Sequence, residues 1–342
     1  MIQNALDHGG NIIVPGGTYT ISQPIEWSSD NTRLIGAGRT SSIFNFNFVG
    51  TAGLLSSTQG VTERYLCGAE GIQFIDNAGL SRIVDLTDMQ FCNFNSCFTY
   101  GFGASSSIGM YMGSSNVSLQ CTYNRIQDHY NGNTQYGMYL HDGANANFID
   151  GGRFQSALAS AIGIILAPSG AALVNGNTLL QVGVEQPGNT LTGIQLNGNT
   201  VGTQIIGPRL EALLNGIVVS STDTGVLLLN PVYSGCTNNL VDASNGKAFA
   251  GSIPAGAPAA QFNYDGTTST TNKAVSCSIS RAATGQYQVT GLPFSNSNFV
   301  PNINANVQQC DVAIVSSTTV NIFTYNASGV ATDAKIYGTF WA

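Results

Sequence analysis

The sequence predicts an all-β chain: a parallel β-helix followed by a small C-terminal β-sandwich. One observation is a phrase repeated five times, GMYM at 109–112, GMYL at 137–140, GIIL at 163–166, GIQL at 193–196 and GIVV at 216–219, with glycines 28, 26, 30 and 23 residues apart. A period of that size marks a solenoid in which each unit stacks on the last. The phrases alternate, so that Ile164 and Leu166 face one way and Ile165 the other, which is the periodicity of a strand. The second observation is a further strand segment before each of several of these glycines: FIDGGRFQ (148–155), LLQVGVEQ (179–186), QIIGPRLE (204–211) and LLLNPVYS (227–234). Two strands repeating in step with unequal loops describe stacked β-coils.

Taken in order, residues 1–27 hold a short helical phrase, IQNALDHGG, and a β-arch turning at Pro15-Gly16-Gly17; they are expected to cap the open end of the solenoid. Coils are expected over 28–246. A Gly/Pro/Ala-rich stretch, GSIPAGAPAAQF, reads as a linker over 247–265. Alternation then resumes in AVSCSIS, GQYQV, VAIVSS, VNIFTY and AKIYGTFWA, short strands that predict a β-sandwich over 266–342 for trimerisation or glycan binding. Asn147, Asn175, Asn177, Asn197, Asn199 and Asn215 fall at turns, where stacked coils would line them up in ladders inside the corners.

Only 8% of the residues are charged, yet no run approaches 18 apolar residues, so membrane insertion is not expected. A net charge of −7 with 11 Lys and Arg argues against nucleic acid, whose phosphates are bound by clustered cations. A neutral or polyhydroxyl partner fits better. The seven cysteines are odd in number and show no CxxC pair; they read as buried thiols, with no metal site and no cofactor. Met1 leads straight into IQNALD with no secretory signal, which suggests folding in a reducing cytoplasm or a domain of a longer chain.

The opening phrase IQNALDHGGNIIVPGGTYTISQPIEWSSDNTRLIGAG (2–38) resembles the start of the right-handed parallel β-helix in bacteriophage tailspikes and related pectate-lyase-like proteins: a helix, GG, a strand, PxGxY and LxGxG. IDGGRF and IGPRLE resemble tailspike coils, and VNIFTYNASGVATDAKIYGTFW is similar to the C-terminal β-domains of trimeric tailspikes and tail fibres. The resemblance implies a homotrimer in a virion tail, made in the host cytoplasm and acting outside the target cell. It also implies binding, and often cleavage, of a bacterial surface polysaccharide such as capsule or O-antigen. The polygalacturonase phrases NTD, GHG and RIK are absent, and IQDH at 126–129 only faintly echoes the pectate-lyase WIDH.

Candidate chemistry follows from which side chains share a face. Aligning the second strands on Tyr130, Phe154, Val184 and Leu210 as an inward stack makes Asn131, Gln155, Glu185 and Glu211 one outward column, and His129, Arg153, Gly183 and Arg209 another. Glu185 and Glu211 would then be neighbouring carboxylates about 4.8 Å apart in rung spacing. They are the candidate acid and nucleophile or base of a glycosidase, with Arg153, Arg209 and His129 as substrate contacts. An Arg–Glu ladder without activity is the competing reading. Asp128, Asp150 and Asp142 are alternative catalytic carboxylates. On the other strand, Tyr111, Tyr139, Ile165 and Gln195 form an outward column in which the two tyrosines, with His141 beside them, could carry a sugar ring. The expected function is polysaccharide depolymerisation by hydrolysis, with a non-catalytic receptor-binding fibre or a polysaccharide lyase as alternatives.

Overall fold

The computed structural model describes residues 2–102, 107–116, 118–169, 173–185, 191–244, 260–264, 273–275, 277–292, 300–305, 309–326, 328–333 and 336–341. Three parallel sheets of nine strands each dominate it, and the chain passes through all three in every rung. This is a right-handed parallel β-helix. Sheet A runs from Asn11–Val14 to Leu227–Leu229, sheet B from Gly17–Ile21 to Val232–Ser234, and sheet C from Ile25–Trp27 to Asn238–Asp242. The repeated Gly phrases are the strands of sheet C, in register from Tyr111 to Tyr139, Ile165, Gln195 and Val218.

The other expected strand proves to be two. FIDGGRFQ is Phe148–Asp150 in sheet A and Arg153–Gln155 in sheet B, broken by Gly151 and Gly152 at φ 68° and 87°. The same left-handed corner recurs on successive rungs at Gly71, Ser96, Asp128, Gly151, Gln181, Gly207 and Asn230. At this corner the backbone turns by one residue in a conformation that Gly adopts freely and other residues adopt only at a cost.

The interior is a column of aromatic and aliphatic side chains, Trp27, Phe44, Phe74, Phe94, Phe154 and Leu210 among them, all fully buried. Inside a corner, Asn147 and Asn177 of the expected six form a ladder with Asn124: the oxygens of Asn147 and Asn177 accept from the Asn one rung before, that of Asn124 accepts from the Cys92 amide, and Asn147 Nδ2 donates to Cys121 O at 3.0 Å. The expected cap boundary falls inside the solenoid, because Asn11–Val14, Gly17–Ile21 and Ile25–Trp27 already start the three sheets. Helix Ile2–His8 lies beyond them, with Leu6 buried and Gln3 Nε2 donating to Glu26 O. Cys67, Cys92, Cys97 and Cys121 are buried and Cys236, Cys277 and Cys310 half-buried.

Residues 1–243 and 244–342 separate into two compact units. The second holds two four-stranded antiparallel sheets; in one of them the strands Gln286–Thr290 and Thr319–Tyr325 alternate, with Tyr287, Val289, Val320 and Ile322 inward. The expected linker was drawn too long: Ala260–Tyr264 is a strand paired with Ile336–Trp341, while 247–259 lies outside the described residues.

Candidate functional site

The outer face of sheet B carries the expected carboxylate pair. Glu185 and Glu211 occupy the same register on consecutive rungs, and Arg153, Gly183 and Arg209 line up beside them. Because Gly183 has no side chain between the two arginines, the face is hollowed there into a groove of about 410 Å³, walled by Arg153, Glu185, Arg209 and Glu211. Arg153 pairs with Glu185, and Arg209 Nη2 lies 2.7 Å from Glu211 Oε1. Both glutamate side chains remain 27% exposed. The groove can therefore meet a ligand with two carboxylates and two guanidiniums at one place.

Tyr130 was missed by the inward alignment. It pairs in register with Arg153, not Phe154, so its ring faces out and Asn131 takes the interior position above Phe154. The guanidiniums of Arg39 and Arg153 sit 5.8 and 5.6 Å from its ring centre, and its hydroxyl donates to Gln155 Oε1 at 2.6 Å. Tyr130 thus extends the charged groove with an aromatic wall, packed edge-on against Phe98 at 5.0 Å. The sequence signal was available in retrospect: Asp128 fills the left-handed corner that Gly151 fills one rung later, so Asp128-His129-Tyr130 matches Gly151-Gly152-Arg153.

The same shift corrects His129. It is expected outside as a substrate contact but is 1% exposed and lies inside, its Nε2 3.0 Å from Thr99 Oγ1. Asn131 Nδ2 also donates to Thr99 Oγ1, and Thr134 Oγ1 donates to Asn131 Oδ1, so a small polar network fills this part of the core. Burial pushes the His129 pKa down to about 3, with Arg39 acting in the same direction. The unfolded chain binds this proton with the ordinary value near 6.5, so the folded state is favoured above that pH. Stability is expected to fall as pH drops from about 6.5 toward 3, by up to about 1.4 kcal/mol per pH unit. Denaturant titrations at pH 7 and pH 5 check this; His129→Gln should flatten the difference.

The sheet C column is as expected in register but less open. Tyr111 is only 7% exposed, because the Arg82 guanidinium covers its ring at 3.6 Å and is itself held by Asp85 at 2.7 Å. Ile165 is also covered within the chain, at 5% exposure, and offers no free apolar patch. Tyr139 and His141 are half-buried and lie 5.6 Å apart between ring centres, with Tyr136 5.4 Å from Tyr139. Burial raises the Tyr111 pKa to about 12 and raises that of Tyr139, so both phenols stay protonated donors. Burial lowers the His141 pKa against the opposing pull of Asp142.

The alternative carboxylates are each engaged. Asp128 sits at φ 44° and accepts from Arg39 Nη1 at 3.1 Å and Ser96 Oγ at 3.1 Å. Asp150 is 3.8 Å from Arg125. Asp142 is buried and holds the next rung's loop by accepting from the Ser169 amide and hydroxyl. They do not share one face: Asp150 is in sheet A, Asp128 at the corner, and Asp142 follows the sheet C strand Tyr136–Leu140. Among the described residues no group of three His, Cys, Asp or Glu is placed to hold a metal.

No family model matches the sequence, and no curated protein matches it. Similar solved structures include ORF18 of Geobacillus virus E2, at 13% identity and TM-score 0.45 over 99% of this chain and 72% of that one. Another is the tailspike gp49 of Acinetobacter baumannii bacteriophage Fri1, a capsular polysaccharide depolymerase, at 10% identity and TM-score 0.38 over 100% and 82%. A third is the A-module of the Azotobacter vinelandii mannuronan C-5 epimerase AlgE4, at 12% identity and TM-score 0.35 over 70% and 92%. By its sheet topology the chain is a right-handed parallel β-helix, the fold of phage tailspikes and pectate-lyase-like proteins.

Proposed function

We propose that this chain is a tailspike-like depolymerase that binds a bacterial surface polysaccharide on the outer face of sheet B and hydrolyses it there. The observation that carries the reading is the register of Glu185 on Glu211, at the groove opened by Gly183. Carboxyls about 5–5.5 Å apart suit a retaining glycosidase and about 6.5–9.5 Å an inverting one; the rung spacing of about 4.8 Å favours the first. One glutamate protonates the leaving oxygen and the other attacks the anomeric carbon or activates water. Arg153 and Arg209 hold the carboxylates in place and present donors to glycan hydroxyls or acid groups. Tyr130 supplies an apolar ring face with a polar edge.

Incubation with purified capsule and O-antigen preparations tests this reading. Hydrolysis releases reducing ends without ultraviolet absorbance, whereas a lyase also produces an absorbing unsaturated uronate. A second reading is favoured by the ion pairs themselves: a ladder in which Arg153 neutralises Glu185 and Arg209 neutralises Glu211 needs no turnover. Binding without release of reducing ends would establish that adhesive role.

The proposal includes a homotrimer in the virion tail. Light scattering at micromolar protein should give three times the 35.7 kDa chain mass, and removal of residues after Gly246 should weaken the assembly. A monomer in that measurement rejects the trimer.

A further inference from the structure

A left-handed corner beside sheet A carries bulky side chains where later rungs carry none. Leu66, Phe91 and Tyr123 stand there at φ 59°, 54° and 57°, followed on successive rungs by Ala146, Gly176, Gly202 and Gly225 at φ 52°, 61°, 64° and 63°. The register Gln90 on Tyr65 and Thr122 on Asn145 places these residues in one column, and Gly176 lies against Ala146, as Gly202 does against Gly176. The left-handed conformation is unfavourable for a side chain with a Cβ and rare for aromatic residues. A fold that uses Gly at the same corner elsewhere has no backbone need for Phe and Tyr here.

Nor do these rings serve the core. Phe91 is 48% and Tyr123 59% exposed, yet they stack on each other with ring centres 5.1 Å apart and planes 13° from parallel. With Ala146 and then glycines on the following rungs, no large side chain continues the stack, and Tyr123 ends it above a shelf of small residues. Arg125, two residues after Tyr123 in the sequence, is engaged by Asp150 and the Phe148 ring.

We infer that the Phe91–Tyr123 stack is a second glycan site, a platform on which one uncharged pyranose ring lies against Tyr123. The exposed strip of Leu66, Phe91 and Tyr123 is three side chains long, far smaller than the roughly 800 Å² per side that a protein partner needs. It matches the apolar face of a sugar, whose rim of hydroxyls stays in water. The site stands apart from the groove on sheet B, so it would grip a distant part of the same polysaccharide. It goes beyond the proposed cleavage and does not depend on it.

The test is NMR of protein carrying ring-labelled tyrosine, titrated with the methyl pyranosides of glucose, galactose and N-acetylglucosamine. The Tyr123 resonance, assigned by its absence in Tyr123→Phe, should shift saturably with at least one sugar. Read on the sugar's own resonances by saturation transfer, Tyr123→Ala should weaken that binding about two- to tenfold, the range of one stacking contact. Ala146→Leu, which keeps the ring pair but fills the shelf, should weaken it similarly and guards against misfolding of the first variant. No saturable response of Tyr123 to any of the three sugars overturns the site, as does unchanged affinity in both variants. Conversion of an oligomer to monomers by Tyr123→Ala would assign the rings to a second copy of the chain and equally overturn it. The cleavage assay separates the two readings: cleavage with a silent Tyr123 rejects only the platform, and a responsive Tyr123 without cleavage rejects only the hydrolase.

Discussion

Glu185→Gln and Glu211→Gln are each expected to lower polysaccharide cleavage by about 10²- to 10⁴-fold, the usual contribution of a positioned acid or base. The amide keeps the shape of the side chain and can still accept from the neighbouring arginine, but it can neither give up a proton nor form a glycosyl ester. Folding should hardly change, because each carboxylate is in a partly exposed ion pair with Arg153 or Arg209, and such pairs contribute only about 0–1 kcal/mol. Binding should survive as well, carried by Arg153, Arg209 and Tyr130. The measurements are reducing-end release, a thermal melt and glycan retention on each variant. If both variants cleave at the wild-type rate, the Arg–Glu ladder is structural. Asp150 then becomes the first alternative, since Asp142 is committed to holding Ser169 and Asp128 to holding Arg39 and Ser96.

Asn147→Ala should have the largest effect on stability, roughly 3 kcal/mol or more. The side-chain oxygen accepts from both the amide and Nδ2 of Asn124, and its Nδ2 donates to Cys121 O and Asn177 Oδ1. Removing it takes the side-chain partner from the buried Asn124 amide and from Cys121 O and one bond each from Asn124 Nδ2 and Asn177 Oδ1, and each buried group left unpaired costs about 1–3 kcal/mol. Alanine also leaves a small void in a corner at 1% exposure. Urea unfolding of the two proteins side by side measures the difference, and a loss below about 1 kcal/mol would show that the ladder relaxes around the gap. Because the Asn ladder lies inside the solenoid, the groove on sheet B should keep its chemistry for as long as the variant stays folded.

The coil architecture and the carboxylate pair were legible in the sequence for a shared reason. Strands with one buried face alternate with period two, and the glycine of each GIxL phrase fixes the phase, so Ile164 on Ile194 and Tyr111 on Tyr139 follow directly. Glu185 and Glu211 could be matched because Val184 and Leu210, each just before its glutamate, are plainly interior residues. What only the tertiary structure decided was the phase where the corner residue is not glycine. Asp128 takes the left-handed position that Gly151 takes on the next rung, and reading Tyr130 as the equivalent of Phe154 displaced that strand by one residue. With a period of two, one residue of error exchanges inside for outside, which is why His129 proved buried and Tyr130 exposed to the groove. The cover over Tyr111 was invisible for another reason: it comes from Arg82, on the rung before, held by Asp85. Local pattern thus determined the coil and most of its faces, while contacts between rungs, set by the side chain at each corner, decided which residues the outer surface presents.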